Sequence, residues 1–368
     1  ARMRAVKAAS EVSDFTGDDS LRRAGGWPVY GHRHAVMALQ HSLHDFSHTT
    51  SGAYHPLLLL GQRQIGKSTL ARAFAQAILC TGTSNRPCGG CRACRLLQKG
   101  SHPDFRLIQP VDKDGAVDRL NGLLRSEQAA ELIHDAALRP VEGQYKFFLV
   151  QDFHTAHPVF ANKLLKTLEE PPDHVVLCLT AAERSQLLPT IVSRCRMIEL
   201  RPLSPQVIGQ ALTQQWQAPP EQAALLARLA NGRLGWAVEQ RERPEGQTER
   251  LAHLQALWQM LAADRIERLA LAEQLAGNRN SRQIFGMLEI WLAWWRDLLL
   301  TQAGCADECI NVDQLPRLTA QGQQFSPEET QRYLSLLRQV DRYLHHTVNT
   351  RMALDVLLLH MPRLGVQT

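Results

Sequence analysis

The chain has 368 residues, 44% of them hydrophobic and 21% charged, with a formal net charge of +5. That length supports two or three domains with real cores, and the mild positive balance permits contact with nucleic acid or acidic partners without demanding it. No apolar run reaches the roughly 18 residues a membrane-spanning helix needs.

Ala1 to Gly26 is charged and has no apolar stretch of the kind a secretory signal carries, so it reads as a disordered lead-in. Without an export signal the eight cysteines are expected in a reducing cytoplasm, as thiols or metal ligands rather than disulfides. From Trp27 to Arg201 short apolar runs alternate with helical patterns. The candidate strands are Leu57 to Leu60, Phe105 to Gln109, Phe147 to Val150, Val175 to Thr180 and Met197 to Leu200. The candidate helices are Val36 to Phe46, Leu70 to Leu79, Ser126 to Leu138 and Ala161 to Leu168. This alternation predicts an α/β domain with a parallel sheet covered on both faces.

The first strand runs into Gly61-Gln62-Arg63-Gln64-Ile65-Gly66-Lys67-Ser68, and Thr69 follows at the head of a helix. The stretch fits G-x-x-x-x-G-K-[ST] in its strand–loop–helix context. Its glycines let the backbone curl around phosphate oxygens, the N–H groups and helix N-terminus favour the anion, and Lys67 adds a point charge. Ser68 is placed to hold Mg²⁺. Next come Cys80, Cys88, Cys91 and Cys94, spaced C-x7-C-x2-C-x2-C. Four thiolates so close suit a closed, tetrahedral structural Zn²⁺ site, with an iron–sulfur cluster or free thiols as the alternatives. Cys178, Cys195, Cys305 and Cys309 have no such partners and read as plain thiols.

After the strand ending at Val150, an ATPase would carry Asp-Glu; this chain has Gln151-Asp152. Gln151 brings no charge to a dication. Asp152 stands where a Glu would activate water, or else it caps the next loop. Ser193-Arg194-Cys195 offers an arginine for the phosphates of a neighbouring subunit, or a surface ion pair. Beyond Leu200 the strands stop. Ser204-Pro205 is an N-cap with Pro at the first helical position, and three short helices follow near 205–215, 220–230 and 233–240. Arg241 to Glu249, with Pro244 and Gly246, reads as a linker. The rest is helical. One face carries Leu251, Leu254, Trp258 and Leu261, and another Trp291, Trp294, Trp295 and Leu298. Ser326-Pro327-Glu328-Glu329 is a capping box, and the last helix carries Met352, Leu354, Val356, Leu357 and Leu359. At helical spacing the tryptophans read as core.

Together, Gly61–Ser68, the Cys80–Cys94 module set directly behind the P-loop helix, His102-Pro103-Asp104, the run Asn162-Lys163-Leu164-Leu165-Lys166-Thr167-Leu168-Glu169-Glu170-Pro171-Pro172 and Ser193-Arg194-Cys195 resemble the clamp-loader branch of the AAA+ ATPases. Within it they resemble the delta-prime family of bacterial DNA polymerase III, from about Trp27 to the C-terminus. The resemblance implies an AAA+ P-loop domain over 27–201 with a zinc module at 80–94, a three-helix lid over 202–246, and an all-α collar over 247–368 that joins five subunits in a ring. It implies gamma/tau and delta subunits as partners, with the sliding clamp and primer-template DNA reached through the complex, in the cytoplasm. In this family the subunit is a stator, and Arg194 would reach the ATP site of the adjacent motor subunit. Thr180 matches the polar residue of the first sensor, while Gly235 stands where motor lids carry a phosphate-sensing arginine. With Gln151-Asp152 that removes two of four hydrolytic elements, so ATP with Mg²⁺ is expected to bind without turnover. The other readings are the ATP-hydrolysing motor subunit and a stand-alone AAA+ protein of DNA metabolism.

Overall fold

A computed structural model describes residues 27–48, 55–82, 86–119, 122–243, 245–277, 281–344 and 349–364. The expected lead-in, Ala1 to Gly26, lies outside them. The first part of the chain runs α1 (Arg33–His48), β1 (Leu57–Leu60), α2 (Lys67–Leu79), α3 (Arg92–Gln98), β2 (Phe105–Ile108), α4 (Ser126–Ala137), β3 (Lys146–Val150), α5 (Pro158–Glu169), β4 (Val175–Ala181), α6 (Pro189–Val192) and β5 (Arg196–Glu199). All five expected strands form. They make one parallel sheet in the order β2-β3-β4-β1-β5.

The central strands read as continuous apolar runs because both faces of the sheet are covered. Successive side chains alternate between two cores. Leu57, Leu59, Phe147, Leu149, Val176 and Cys178 pack with α1, α2 and Leu97 of α3. Leu58, Leu60, Phe148, Val150, Leu177 and Leu179 pack with α4, α5 and α6. Each fully buried leucine or phenylalanine contributes on the order of 1.5–3 kcal/mol by leaving water.

This strand order decides where the chemistry falls. β1 sits beside β4, with Leu59 opposite Thr180, and β4 sits beside β3, with Val150 opposite Leu179. The carboxyl ends of three adjacent strands therefore deliver the loop after β1, the Gln151-Asp152 pair after β3 and Thr180 to one edge. Ligands of open parallel sheets bind at that edge.

Three helices follow: α7 (Pro205–Trp216), α8 (Pro220–Leu229) and α9 (Leu234–Glu242). Ser204 caps α7 by accepting from the Val207 N–H at 3.4 Å, with Pro205 at the first position. The three share a small core of Ile208, Leu212, Leu226, Ala230 and Ala237. The expected linker is largely absent. α9 runs to Glu242 and α10 (Glu245–Ala262) starts three residues later, while Pro244 lies outside the described residues. The charges that suggested a linker are simply the solvent faces of two helices.

The remaining helices are α11 (Arg265–Gly277), α12 (Ser281–Gln302), α13 (Leu315–Gly322), α14 (Pro327–Leu344) and α15 (Thr350–Leu359). Trp291, Trp294, Trp295 and Leu298 lie fully in their core, as the helical spacing predicts. The capping box also forms. Ser326 N–H donates to Glu329 Oε2 at 3.0 Å, and Glu329 N–H to Ser326 Oγ at 3.2 Å.

One face differs from expectation, and a second is sorted only by the structure. On α10 Leu257 is buried while Leu251 is exposed, because the core-facing stripe also carries Arg250, which donates to Asp313 at 2.8 and 2.9 Å and to Asn311 at 2.6 Å. On α15 Leu354 and Leu357 are buried, but Met352, Val356 and Leu359 form an exposed stripe, with Met352 66% exposed. Arg268 is almost wholly buried without a carboxylate. Its guanidinium instead donates to the carbonyls of Met260, Leu358, Met361 and Pro362, which closes the C-terminal end of α15.

Candidate phosphate-binding site and cysteine cluster

The loop after β1 takes the shape its glycines allow. Gly61 and Gly66 have φ of 147° and 117°, and Gln64 also lies in the left-handed region at 60°. Gly66 then leads directly into α2 at Lys67. Gln62, Arg63, Gln64 and Ile65 thus form an arch over the N-terminal end of a 13-residue helix, whose free N–H groups favour an anion. Lys67 reaches back across the arch and donates to the carbonyls of Gly61 at 2.5 Å and Gln62 at 2.9 Å. Burial, opposed by Asp152, pushes its ammonium down to about 8. Ser68 faces the sheet edge, while Thr69 points outward.

His32 braces the arch from behind. It sits in a turn where Gly31 and His32 both have positive φ, and its Nε2 donates to the Ile65 carbonyl at 3.1 Å. Burial lowers its pKa, which favours the neutral ring. The start of α9 closes the other side. Gly235 N–H donates to the Gln64 carbonyl at 2.9 Å, and a Cβ on Gly235 would stand 2.7 Å from that oxygen. Glycine at 235 is thus set by close approach to the loop. Gln64 also donates through Nε2 to Glu239.

The acidic side is built differently from a hydrolase. Gln151 Nε2 donates to Ser68 Oγ at 2.6 Å, and Gln151 Oε1 accepts from Gln109 Nε2 at 2.8 Å. Asp152 stands at φ 53°. Its carboxylate makes no side-chain cap to the following turn. It pairs instead with Arg119, at 2.8 Å from Nε and 2.6 Å from the terminal nitrogen. Thr180 Oγ1 accepts from the Asp152 N–H at 3.0 Å, which ties the pair to β4. A divalent cation needs carboxylate, hydroxyl or carbonyl oxygens free to turn toward it. Here the hydroxyl is bonded to an amide and the carboxylate is neutralised by a guanidinium, so this donor set does not fit Mg²⁺.

Behind α2 the four predicted cysteines converge. Their Sγ atoms all lie within 4.8 Å of one another, with Cys80–Cys91 at 3.9 Å and Cys88–Cys94 at 4.0 Å. Metal–sulfur bonds of about 2.3 Å in a tetrahedron require sulfurs about 3.8 Å apart. Backbone N–H groups point at the sulfurs: Gly82 and Cys88 at Cys80, Cys91 at Cys88, and Cys94 at Cys91, all at 3.3–3.4 Å. Those from Cys91 and Gly90 hold the Cys88 thiol below its usual range. The four residues can hold one metal ion. Among the described residues they are the one such cluster of histidine, cysteine and acidic groups. The α3 helix, which periodicity did not predict, starts inside this knuckle with Cys91 as its N-cap.

The knuckle is locked to the sheet. Trp27 Nε1 donates to the Arg86 carbonyl at 3.3 Å, and Arg92 pairs with Glu142 at 3.0 Å. The loop carrying Glu142 is held by Asp104, whose buried carboxylate accepts from the N–H groups of Val141, Glu142 and Gly143 at 2.6, 2.8 and 3.1 Å. His102 Nδ1 in turn accepts from the Asp104 N–H at 3.1 Å. His102-Pro103-Asp104 is thus a brace. The other cysteines stay apart. Cys305 and Cys309 flank a short turn, and burial pushes the Cys309 thiol up to about 11 and Cys195 up to about 12.

Arg194 follows α6 on the far side of the sheet domain. It donates to the Thr190 carbonyl at 2.9 Å and to Glu169 Oε1 at 3.0 Å, and its buried Nε has no hydrogen-bond partner. Glu169 is the first glutamate of the Glu-Glu-Pro-Pro run, so two of the motifs noted in the sequence meet in one ion pair.

Residues 32–204 match the family model described as DNA polymerase III, delta subunit, and residues 244–362 match the model of its C-terminal part. The delta' subunit of Bacillus subtilis is 27% identical over 308 residues, covering 83% of this chain and 90% of its own length. The chain belongs to the DNA polymerase III delta-prime family.

The delta' subunit of Pseudomonas aeruginosa is 35% identical over 183 residues, 48% of this chain and 51% of that protein. The tau/gamma subunit of Haemophilus influenzae is 32% identical over 210 residues, 55% of this chain and 28% of that protein. The chain spans about a quarter to a half of the length of such tau and gamma relatives. Within this delta-prime chain the sequence reading missed the roles of His32, Gln109 and Arg119, none of which lies in a motif, and the pairing of Glu169 with Arg194. His32 alone carried a signal, the Gly31-His32 turn just ahead of a helix.

Proposed function

We propose that this chain is the stator of a clamp loader. It sits in a ring with gamma/tau motor subunits and a delta subunit and helps ATP-driven loading of a sliding clamp on primed DNA. The observation that carries this reading is the contrast within one site: an intact phosphate cradle facing a Gln151–Ser68 amide contact and an Asp152 neutralised by Arg119. A motor needs free acids there, and a stator does not. The sheet region 27–201 is then the AAA+ domain, 202–246 the lid and 247–368 the collar. The exposed Met352–Val356–Leu359 stripe is the kind of face a collar buries against a neighbour. The cysteine cluster holds a structural Zn²⁺. All four thiols are used, so the ion acts as a staple with no position left for a catalytic water.

The test is assembly of the purified chain with gamma/tau and delta subunits, alongside ATP hydrolysis by the chain alone. A five-membered ring is expected, with negligible hydrolysis by the isolated subunit. Turnover of ~1 s⁻¹ or above would make it a motor. Failure to assemble would favour the stand-alone AAA+ reading, which no feature of the site supports.

The cradle should also show a pH signature. Lys67 is cationic below about 8 in the free chain, held down by burial and by Arg119 and Arg63 and opposed by Asp152. A bound phosphate raises that value, so binding above pH 8 must take up a proton. ATP affinity is expected to stay nearly level from pH 6.5 to 7.5 and then to fall, approaching about tenfold per pH unit above pH 8. Calorimetric titration across that range checks it, and affinity rising with pH would contradict it.

A further inference from the structure

The mismatch between this site and Mg²⁺ has a chemical consequence. Four groups converge on the space in front of the arch. Lys67, Arg63 and Arg119 act on one another electrostatically, and Asp152 opposes them. Asp152 acts on both Lys67 and Arg63; Glu239 and Glu289 also act on Arg63, but Glu239 is engaged by Gln64 and Glu289 by Arg233. The carboxylate that a metal would use is paired instead with the Arg119 guanidinium, at 2.6 Å. The hydroxyl a metal would use is engaged by the Gln151 amide, and Gln109 fixes that amide from its other end. A guanidinium can offer a fork of N–H donors to phosphate oxygens while keeping part of its contact with a carboxylate.

We propose that this pocket takes a nucleoside triphosphate in its magnesium-free form, with Arg119 supplying the charge that a metal supplies elsewhere. The idea rests on the nucleotide-binding reading above and goes beyond it by naming the ionic form of the ligand and the residue that selects it. It also accounts for the retention of a full cradle beside a disabled acid pair. Polyphosphate is gripped by Lys67 and the arch, its excess charge is met by arginines, and no dication is placed for in-line attack.

The experiment is titration of the full-length chain with ATP, followed by calorimetry, in excess EDTA and in excess magnesium chloride. Affinity in EDTA is expected to equal or exceed that in magnesium. Arg119→Ala should weaken binding in EDTA about tenfold, the scale of one charge-assisted contact. Arg119→Lys, which keeps the charge and loses the fork, should weaken it less. Gln151→Asp should reverse the metal preference. Thermal melts of each variant show that the sheet is intact. Binding that is tenfold or more tighter with magnesium in the wild-type chain overturns the proposal, and so does an Arg119→Ala chain that binds ATP unchanged. Absence of ATP binding in both buffers would overturn the nucleotide reading itself, a result distinct from binding that needs the metal.

Discussion

Cys91→Ser is expected to lower the metal content of the purified chain from one zinc to near zero and to loosen residues 80–94 without unfolding the sheet. Cys91 does three things at once. Its sulfur lies 3.9 Å from that of Cys80, it accepts the Cys94 N–H, and it is the N-cap of α3. Loss of partners one shell further out already weakens metal sites about 10- to 100-fold, so loss of a ligand should exceed that. In small zinc modules the binding energy is largely the folding energy, about 10–16 kcal/mol in isolated fingers. Here the module is also held by Trp27, by Arg92–Glu142 and by the burial of Ala93, Cys94 and Leu97, so only part of its order depends on the ion. Metal analysis, with limited proteolysis mapped by mass spectrometry, checks both halves. Unchanged metal content would remove Cys91 from the site. Global unfolding would show that the knuckle supports the sheet more than its contacts indicate.

The sheet was legible because its signal is dense. Leu57–Leu60, Phe147–Val150 and Val175–Leu179 are apolar throughout, and only a strand buried on both faces uses such runs economically. The capping box at Ser326 and the Ser204-Pro205 start were legible for a similar reason: local hydrogen bonding decides them. What stayed hidden depends on partners far along the chain. Arg250 and Arg268 are buried, against the ordinary habit of arginine, because Asp313, Asn311 and the carbonyls ending α15 arrive from 61 to 94 residues away. The last helix carries Met352, Leu354, Val356, Leu357 and Leu359, and the sequence does not divide them into buried and exposed, because a single sequence shows that a face is apolar but not what covers it.

The site divides along the same line. The cradle and the cysteines are each contiguous, and their spacing alone names the chemistry. Arg119 and Gln109 enter from loops and strand ends that periodicity cannot connect to Asp152 and Gln151. Gly235 was read as the loss of a sensor. The structure adds a positive cause, since the loop carbonyl of Gln64 leaves no room for a side chain there.

Arg194→Ala should leave folding, zinc content and ring assembly intact while slowing the DNA-stimulated ATPase and clamp-loading rate of the reconstituted complex. The geometry favours a residue that is parked but not committed. Its ion pair is with Glu169, whose side chain is 59% exposed, and its own side chain is 29% exposed. Such pairs are worth about 0–1 kcal/mol, less than a charge-assisted grip on phosphate. A neighbour's nucleotide could therefore draw the guanidinium away from Glu169 at small cost. Arginine fingers contribute about 10³–10⁵ in rate where a single site is read, and a ring whose other sites keep their own arginines should lose only about two- to tenfold. Two further variants separate this role from a structural one. Glu169→Ala removes the tether and should keep the rate or raise it, whereas a purely structural pair would make both alanine variants equally harmful. Arg194→Lys keeps the charge but not the fork and should rescue poorly. Equal hydrolysis by rings carrying wild-type chain and Arg194→Ala would leave the residue as one half of a surface ion pair, and the stator reading would then rest on assembly alone.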